Sequence, residues 1–392
     1  MIKGENIICI SNTNWFGSYA KSTVQILERL ARNNNILFVE YPYTIKDFIT
    51  DFSGKKFVPA KRMLGIEKRL QQITTDSGTK VYNLVIPPGI PVYFLKNEKL
   101  FNFFFKFNAF IYKRSVKKAM KKLNFQHPIL MTAYNPFYGL SMRGKLDEKV
   151  HIYYCYDGVE SGFFGKRIFE FEDIFSRKVE AIITSSDYLN AGKLKLNANS
   201  FVVKNGVDFL SFQQFAKHSV YVRKRKKVGY IGTLDPRFNI DIVEFAVQKL
   251  SDFDFEFIGD NRNEAMKARL SKYPNVWFFP PVKPKDVPEL LAEYDVGIIP
   301  YIVNEVNKNI YPLKINEYLA VGVPVVMTSF ADLPEFCNIV SVATDKSDFV
   351  KKLKLEILTD NEVKIQKRIE FASQNSWEER AIEFGNIIEK FI

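Results

Sequence analysis

The chain has 392 residues, is 46% hydrophobic and 26% charged, and carries a formal net charge of +12. Length and composition suit a soluble protein of two or three domains, and the charge suits an anionic partner: a nucleotide, a nucleic acid or an acidic membrane surface. Three widely spaced cysteines (Cys9, Cys155, Cys337) argue against a disulfide framework or a Cys-rich metal site and fit a reducing cytoplasm. Three histidines limit His-based chemistry. The first apolar run is too short for a signal peptide, and no stretch reaches the ~18 apolar residues of a membrane-spanning helix.

Residues 6–11 read as a buried strand. A Gly-bearing loop, 13–18, leads into a helix over about 19–32, and Ile36 to Glu40 is the next strand. This is a βαβ opening, whose first turn is the usual ligand position in an open α/β sheet. Gly17 would let backbone amides approach a phosphate or sugar, or it serves turn geometry alone. Residues 55–80 read as loop and short helix with scattered basic charge, and Val81 to Ile86 as a strand broken by prolines.

Residues 94–123 hold eight aromatics and nine Lys or Arg against one acid, Glu98. Phe101, Phe104 and Phe105, with Lys106, Lys113 and Arg114, form a cationic aromatic helix suited to the headgroup region of an anionic bilayer. The alternative is an outer helix with its aromatic face inward and its lysines in water. Single-stranded nucleic acid is a weaker rival, because no RNP, KH or zinc pattern accompanies the stretch.

Strands follow at 128–133 and 150–154. Polar residues stand just past each end: Tyr134-Asn135 after the first, Asp157 and Glu160 after the second. They predict a cleft edge, with Asn135 facing a ligand. Ala181 to Ser185 is another strand, and 206–226, rich in Lys and Arg, reads as a linker. A second βαβ series starts at Lys227. Its strands lie at 227–231, 255–258, 276–279 and 296–300, and helices between them imply a mostly parallel sheet. Asp252-Phe253-Asp254 precedes one of these strands and reads as a turn.

Asn309 to Thr328 is the densest stretch. Pro312 opens a helix, Lys314 and Glu317 sit one turn apart, Gly322 ends the helix, and Val323 to Val326 reads as a buried strand. A helix start carrying a lysine beside a sheet suits an anion. A plain surface Lys–Glu pair is the alternative.

Pro312, Lys314 and the run Glu317-Tyr318-Leu319-Ala320-x-Gly322-x-Pro324-Val325-Val326 resemble the nucleotide-sugar-binding helix of GT-B glycosyltransferases. The likeness is nearest to glycosyltransferase 4-type enzymes and to teichuronic-acid and xanthan-type surface-polysaccharide transferases. Of the two glutamates of the broader family, Glu317 matches the second, and Asn309 stands at the first.

The resemblance implies an α/β GT-B fold: two Rossmann-like domains with mostly parallel sheets facing across a cleft, and a C-terminal helix crossing back to the first domain. The implied domains are 1–205, with 375–392 packed on it, and 227–374. It implies transfer of a sugar from a nucleotide diphosphate sugar, with UDP the commonest donor base, to a lipid-linked saccharide at the inner face of the cell membrane, without metal or other cofactor. Lys314 would meet phosphate and Glu317 ribose. Gly232, Thr233 and Arg237 would meet the diphosphate, Val282 the base, and Asn309, Tyr311 and Leu313 the sugar-phosphate. Asp157 matches the base aspartate of the xanthan-type enzymes, with Glu160 the alternative, and so implies inversion. A sugar-nucleotide epimerase and a non-catalytic nucleotide-sugar-binding subunit are the rival readings.

Overall fold

Strands buried along their whole length, such as β5 (Ile129–Ala133), β6 (Val150–Cys155) and β7 (Ala181–Thr184), are what a parallel sheet covered on both faces requires. The computed structural model describes residues 2–17, 21–51, 58–75, 77–159, 165–262 and 264–392. The chain divides into two compact units, residues 1–204 with 381–392, and residues 205–380.

The first unit has eight strands in the order β3-β4-β2-β1-β5-β6-β7-β8. The others are β1 (Asn6–Ser11), β2 (Asn35–Val39), β3 (Leu70–Thr74), β4 (Lys80–Leu84) and β8 (Ser200–Val202). All pairs are parallel except β3 with β4. The edge strand β3 arises in the stretch expected to be loop and short helix. Its sequence, LQQIT, is polar and only half-buried, so β4 rather than an apolar pattern gives it its form. The helix Ala60–Leu64 does form.

The basic aromatic stretch forms a helix, Glu98–Leu123. Asn97 accepts from the Leu100 amide at its start, and Asn124 ends it with φ 54°. Phe101 and Phe105, expected at a membrane, lie in the core instead, 2% and 5% exposed. Their rings stack 5.6 Å apart and meet Phe137 and Phe171 edge-on or tilted. Phe104 is half-buried, Lys113 is half-buried, and Lys106 and Arg114 are exposed.

The second unit has six parallel strands in the order β11-β10-β9-β12-β13-β14. They are β9 (Lys226–Ile231), β10 (Phe253–Ile258), β11 (Val276–Phe279), β12 (Val296–Ile299), β13 (Val325–Thr328) and β14 (Ser341–Ala343). The segment 206–226, expected to link two domains, packs on this unit. It carries a helix, Phe209–Gln213, with Phe212 in the core, and the buried Lys217 ammonium donates to the Tyr294 carbonyl. The helix Trp377–Glu389 begins in the second unit, and its residues from Ala381 onward group with the first.

Candidate functional site

In the second unit, crossover connections leave two backbone turns side by side at the carboxyl ends of β9 and β10. Gly232 (φ 151°) donates its amide to the Ile258 carbonyl at 2.8 Å. A Cβ on Gly259 (φ 148°) would stand 2.1 Å from the Gly232 oxygen, so only glycine allows the two turns this approach.

The helix Leu313–Ala320 brings Lys314 to the same place. Pro312 occupies the cap position and no side chain caps the first turn; Ile315 donates its amide to the Pro312 carbonyl at 3.3 Å, and among the described residues the Leu313 and Lys314 amides keep their donors for another acceptor. A Cβ on Gly232 would lie 2.3 Å from Lys314 Cε and 2.6 Å from Nζ, so the missing side chain is the space the ammonium fills. Nζ stands 5.4 Å from the centre of the Tyr230 ring. Among the described residues Lys314 has no hydrogen bond or ion pair.

Four hydrogen bonds hold this helix start in register. The Tyr318 hydroxyl donates to the Gly229 carbonyl at 3.0 Å and accepts from the Ile231 amide at 3.4 Å, pinning the helix on β9. Asn205 Nδ2 donates to the Tyr311 carbonyl at 2.9 Å, and Asn316 Nδ2 to the Asn205 carbonyl at 3.3 Å. Asn205 thus braces the loop that delivers Lys314.

Glu317 is half-buried. Burial pushes its carboxyl up from its ordinary value, and the Lys314 charge opposes that shift. Thr233 is half-buried, and its carbonyl accepts from the Tyr230 hydroxyl at 3.1 Å. Arg237 is engaged with Asp235, which accepts from Nε at 3.0 Å and from Nη2. Its Nη1 has no partner among the described residues. Burial raises the Asp235 carboxyl, and the bonds and charge of Arg237 bring it below its ordinary value. Arg237 also lies 5.6 Å from the Tyr301 ring centre.

Gly232, Thr233, Lys314 and Glu317 therefore come together, with Arg237 beside them on its own carboxylate. Leu313 is half-buried at the helix start. Tyr311 corrects the expectation for its ring, which is 3% exposed and packs 5.6 Å from Phe336 in the core; only its carbonyl serves the loop. Val282 is half-buried and packs against the unit's core. Asn309 ends a short 3-10 turn, Asn307–Asn309, and its side chain is outside the described residues. Sequence reasoning missed Tyr230, Tyr301, Asp235 and Gly259. For the last, the signal was present in Gly259-Asp260 directly after a strand.

In the first unit the turn after β1 is closed on itself. The buried Glu40 carboxylate accepts from the Trp15 amide at 3.1 and 3.2 Å and from Asn83 Nδ2 at 2.5 Å. Lys21 Nζ donates to the carbonyls of Asn14 at 2.5 Å and Phe16 at 2.7 Å. Gly17 faces this lysine, 2.8 Å from Nζ to a built Cβ, so among the described residues of the loop an ammonium stands at this glycine where an amide cradle was expected. Asn135 is also committed. It is 2% exposed, accepts from the Tyr138 amide as a helix cap and donates to the Ser11 carbonyl at 3.2 Å, rather than facing a ligand.

The Asp157 loop is fixed by three successive carbonyls. Ser185 Oγ donates to Tyr156 at 2.6 Å, Cys155 Sγ to Asp157 at 3.4 Å, and the Tyr134 hydroxyl to Gly158 at 2.7 Å. Asp157 Oδ1 accepts from the Gly158 amide at 2.9 Å. Glu160 lies outside the described residues. His151, at 0% exposure, shares a hydrogen bond of 2.8 Å with Thr132, and His127 pairs with Asp147 at the surface.

Across 99% of both chains, the structure superposes on sucrose-phosphate synthase of Thermosynechococcus elongatus with a TM-score of 0.69 at 13% identity. The fold is GT-B. A trehalose-6-phosphate protein of E. coli bound with UDP-2-fluoroglucose gives the same score at 9% identity and 99% coverage of each chain. A glycosyltransferase of Rickettsia africae gives 0.66 at 12% identity, over 99% of this chain and 98% of that one. Within this GT-B chain, residues 225–359 match the family described as Glycosyl transferases group 1. These residues include Gly232, Lys314 and Glu317. TuaH of Bacillus subtilis (strain 168), provisionally named a teichuronic acid biosynthesis glycosyltransferase, is 30% identical over 167 residues. That match spans 39% of this chain and 41% of the relative's length.

Proposed function

We propose that this chain is a glycosyltransferase that moves a sugar from a nucleotide diphosphate sugar to a saccharide acceptor. One observation carries the reading: a lysine ammonium unpaired among the described residues, Lys314, seated on Gly232 at the start of a helix that no side chain caps. An anion placed there meets a formal charge, free amides and the positive end of the helix dipole together. Lys314 and those amides hold the diphosphate, and Glu317 takes the ribose hydroxyls.

The acceptor hydroxyl attacks the anomeric carbon. The bond to the diphosphate oxygen breaks, and its electron pair leaves with the nucleotide, stabilised by Lys314. Asp157 takes the hydroxyl proton. Attack opposite the leaving group inverts the anomeric centre. The donor nucleotide is UDP, in keeping with the UDP-sugar analogue on one structural neighbour. The acceptor is a lipid-linked saccharide in bacterial surface-polysaccharide assembly, in keeping with the partial likeness to TuaH, and the enzyme sits at the membrane surface as a peripheral protein.

Thermal unfolding with UDP, GDP, dTDP, ADP and CMP tests the donor site. A ligand that binds only the native state stabilises it by roughly RT ln(1 + [L]/Kd). One nucleoside diphosphate should raise the unfolding temperature, and Lys314→Ala should abolish the rise. No shift with any of them would sink the reading. Asp157→Asn should keep the nucleotide shift and lower transfer by about 10²–10⁴-fold. Full transfer by this variant would remove Asp157 from the mechanism, and retained anomeric configuration in the product would remove inversion.

A further inference from the structure

The helix Glu98–Leu123 has a second face that the core does not use. Leu100, Phe103, Phe107 and Phe110 are 49%, 68%, 50% and 52% exposed. They recur at steps of three and four, which confines them to an arc of roughly 80° on a helix advancing 100° per residue. This arc is opposite Phe101, Phe105, Tyr112 and Val116, the residues that anchor the helix in the first unit. Further along the same arc stand Arg114, Lys117, Lys118 and Lys121, all exposed. Among the described residues none of these four has an ion pair or hydrogen bond. At 1.5 Å per residue the outward face is roughly 15 Å of aromatic surface, with roughly 10 Å of cationic surface beyond it.

Core packing accounts for the inward rings and leaves the outward ones unexplained. A contiguous exposed apolar strip of this size marks a contact surface. The adjoining charge selects its partner. Four unpaired cations in line with the strip, beside a single acid in the whole helix (Glu98), complement an anionic surface and oppose a basic one. A cavity of about 330 Å³ borders the strip and shares Phe110 with it. Phe105, Met142 and Phe171 form its apolar lining, and Lys106, Lys113 and Lys145 contribute ammonium groups. An acidic headgroup on an apolar tail has the same two-part chemistry.

We propose that this outward face seats in the headgroup region of an anionic bilayer, with Phe103, Phe107 and Phe110 inserted and the 114–121 cations on acidic headgroups. The inference rests on the peripheral-membrane part of the reading above and replaces the buried Phe101 and Phe105 with the residues that do the inserting.

The test is co-sedimentation of the intact chain with vesicles of phosphatidylcholine alone, or of phosphatidylcholine rich in phosphatidylglycerol. The chain should bind the anionic vesicles, and added salt should weaken binding. The triple variants F103S/F107S/F110S and K117E/K118E/K121E should each lose about tenfold or more in partitioning while their unfolding temperatures match the parent. Phe107→Trp, which needs no loss of surface, should show a blue shift of emission on anionic vesicles beyond that of the parent. Equal binding to neutral vesicles, unchanged partitioning of the phenylalanine variant, or no blue shift at position 107 would overturn the proposal. So would a lipid-free dimer that the phenylalanine variant dissolves. Nucleotide-induced stabilisation of the same samples is read separately, so failure of the surface and failure of the donor site are told apart.

Discussion

The turn after β1 and the turn after β9 hold the same place in their respective sheets, and they treat charge in opposite ways. The first supplies its own anion: the Glu40 carboxylate takes the Trp15 amide, and Lys21 covers the carbonyls. The second has a lysine that meets no carboxylate within hydrogen-bond reach among the described residues, a glycine that makes room for it, and a helix start that no side chain caps. One turn is electrostatically complete as folded. The other, on the reading proposed above, is completed by an anion from outside. Topology offers two equivalent positions, and on the proposed reading the local charge balance favours the second for an anion.

The largest break in that contrast is loss of Lys314. A charge-assisted phosphate contact contributes roughly 1.5–3 kcal/mol, so Lys314→Ala should weaken nucleoside diphosphate binding by about 10–100-fold in titration calorimetry. An unchanged affinity would show that the helix amides suffice. Gly232→Ala is milder. It leaves the charge in place but forces Cε and Nζ to move from 2.3 and 2.6 Å, and its φ of 151° disfavours any Cβ. Binding should fall about tenfold, for a charge displaced rather than removed.

Glu40→Gln probes the other turn and should leave nucleotide affinity unchanged. Its effect is on stability against pH. Burial holds the Glu40 carboxyl above its ordinary value of 4.5, with the Asn83 and Trp15 bonds and nearby cations opposing. The folded chain therefore binds this proton more tightly than the unfolded chain. That contribution to stability is fully present below the unfolded value and is lost as pH rises through the folded one. As pH rises from the ordinary carboxylate range toward neutral, the variant should gain on the parent in unfolding temperature. A constant difference across that range would mean that Glu40 ionises as it does in the unfolded chain.

Much of the local geometry around Lys314 was legible because its signals are local. Pro312 before the helix, Lys314 at its second position and Gly322 at φ 78° after it are neighbours in sequence, and the structure keeps them so. What could not be read depends on distant partners. Nothing in the strand KKVGYI says that Tyr230 will lie under a lysine 84 residues later, or that Asn205 will brace the loop at Tyr311. The long basic helix failed differently. Aromatics occupy both of its faces, so periodicity could not choose the inward one. Phe137 and Phe171, on other helices, make that choice. Asn135 and Tyr311 were singled out for standing at strand and helix ends, where polar groups serve caps and core as readily as ligands.

The division of the chain sets an order of assembly. Every residue of the second unit is synthesised between Lys204 and Ala381, inside the sequence of the first. The first unit needs Phe384, whose ring stands 5.2 Å from that of Tyr154 on β6, and Phe391, 6.1 Å from Phe201 on β8. On the ribosome the second unit is therefore available to fold while the first still lacks its closing helical segment. The aromatic surface around Tyr154 and Phe201 waits, open, for nearly half the chain to be made. Nascent chains halted before residue 381 should carry a finished second unit and an unfinished, aggregation-prone first one.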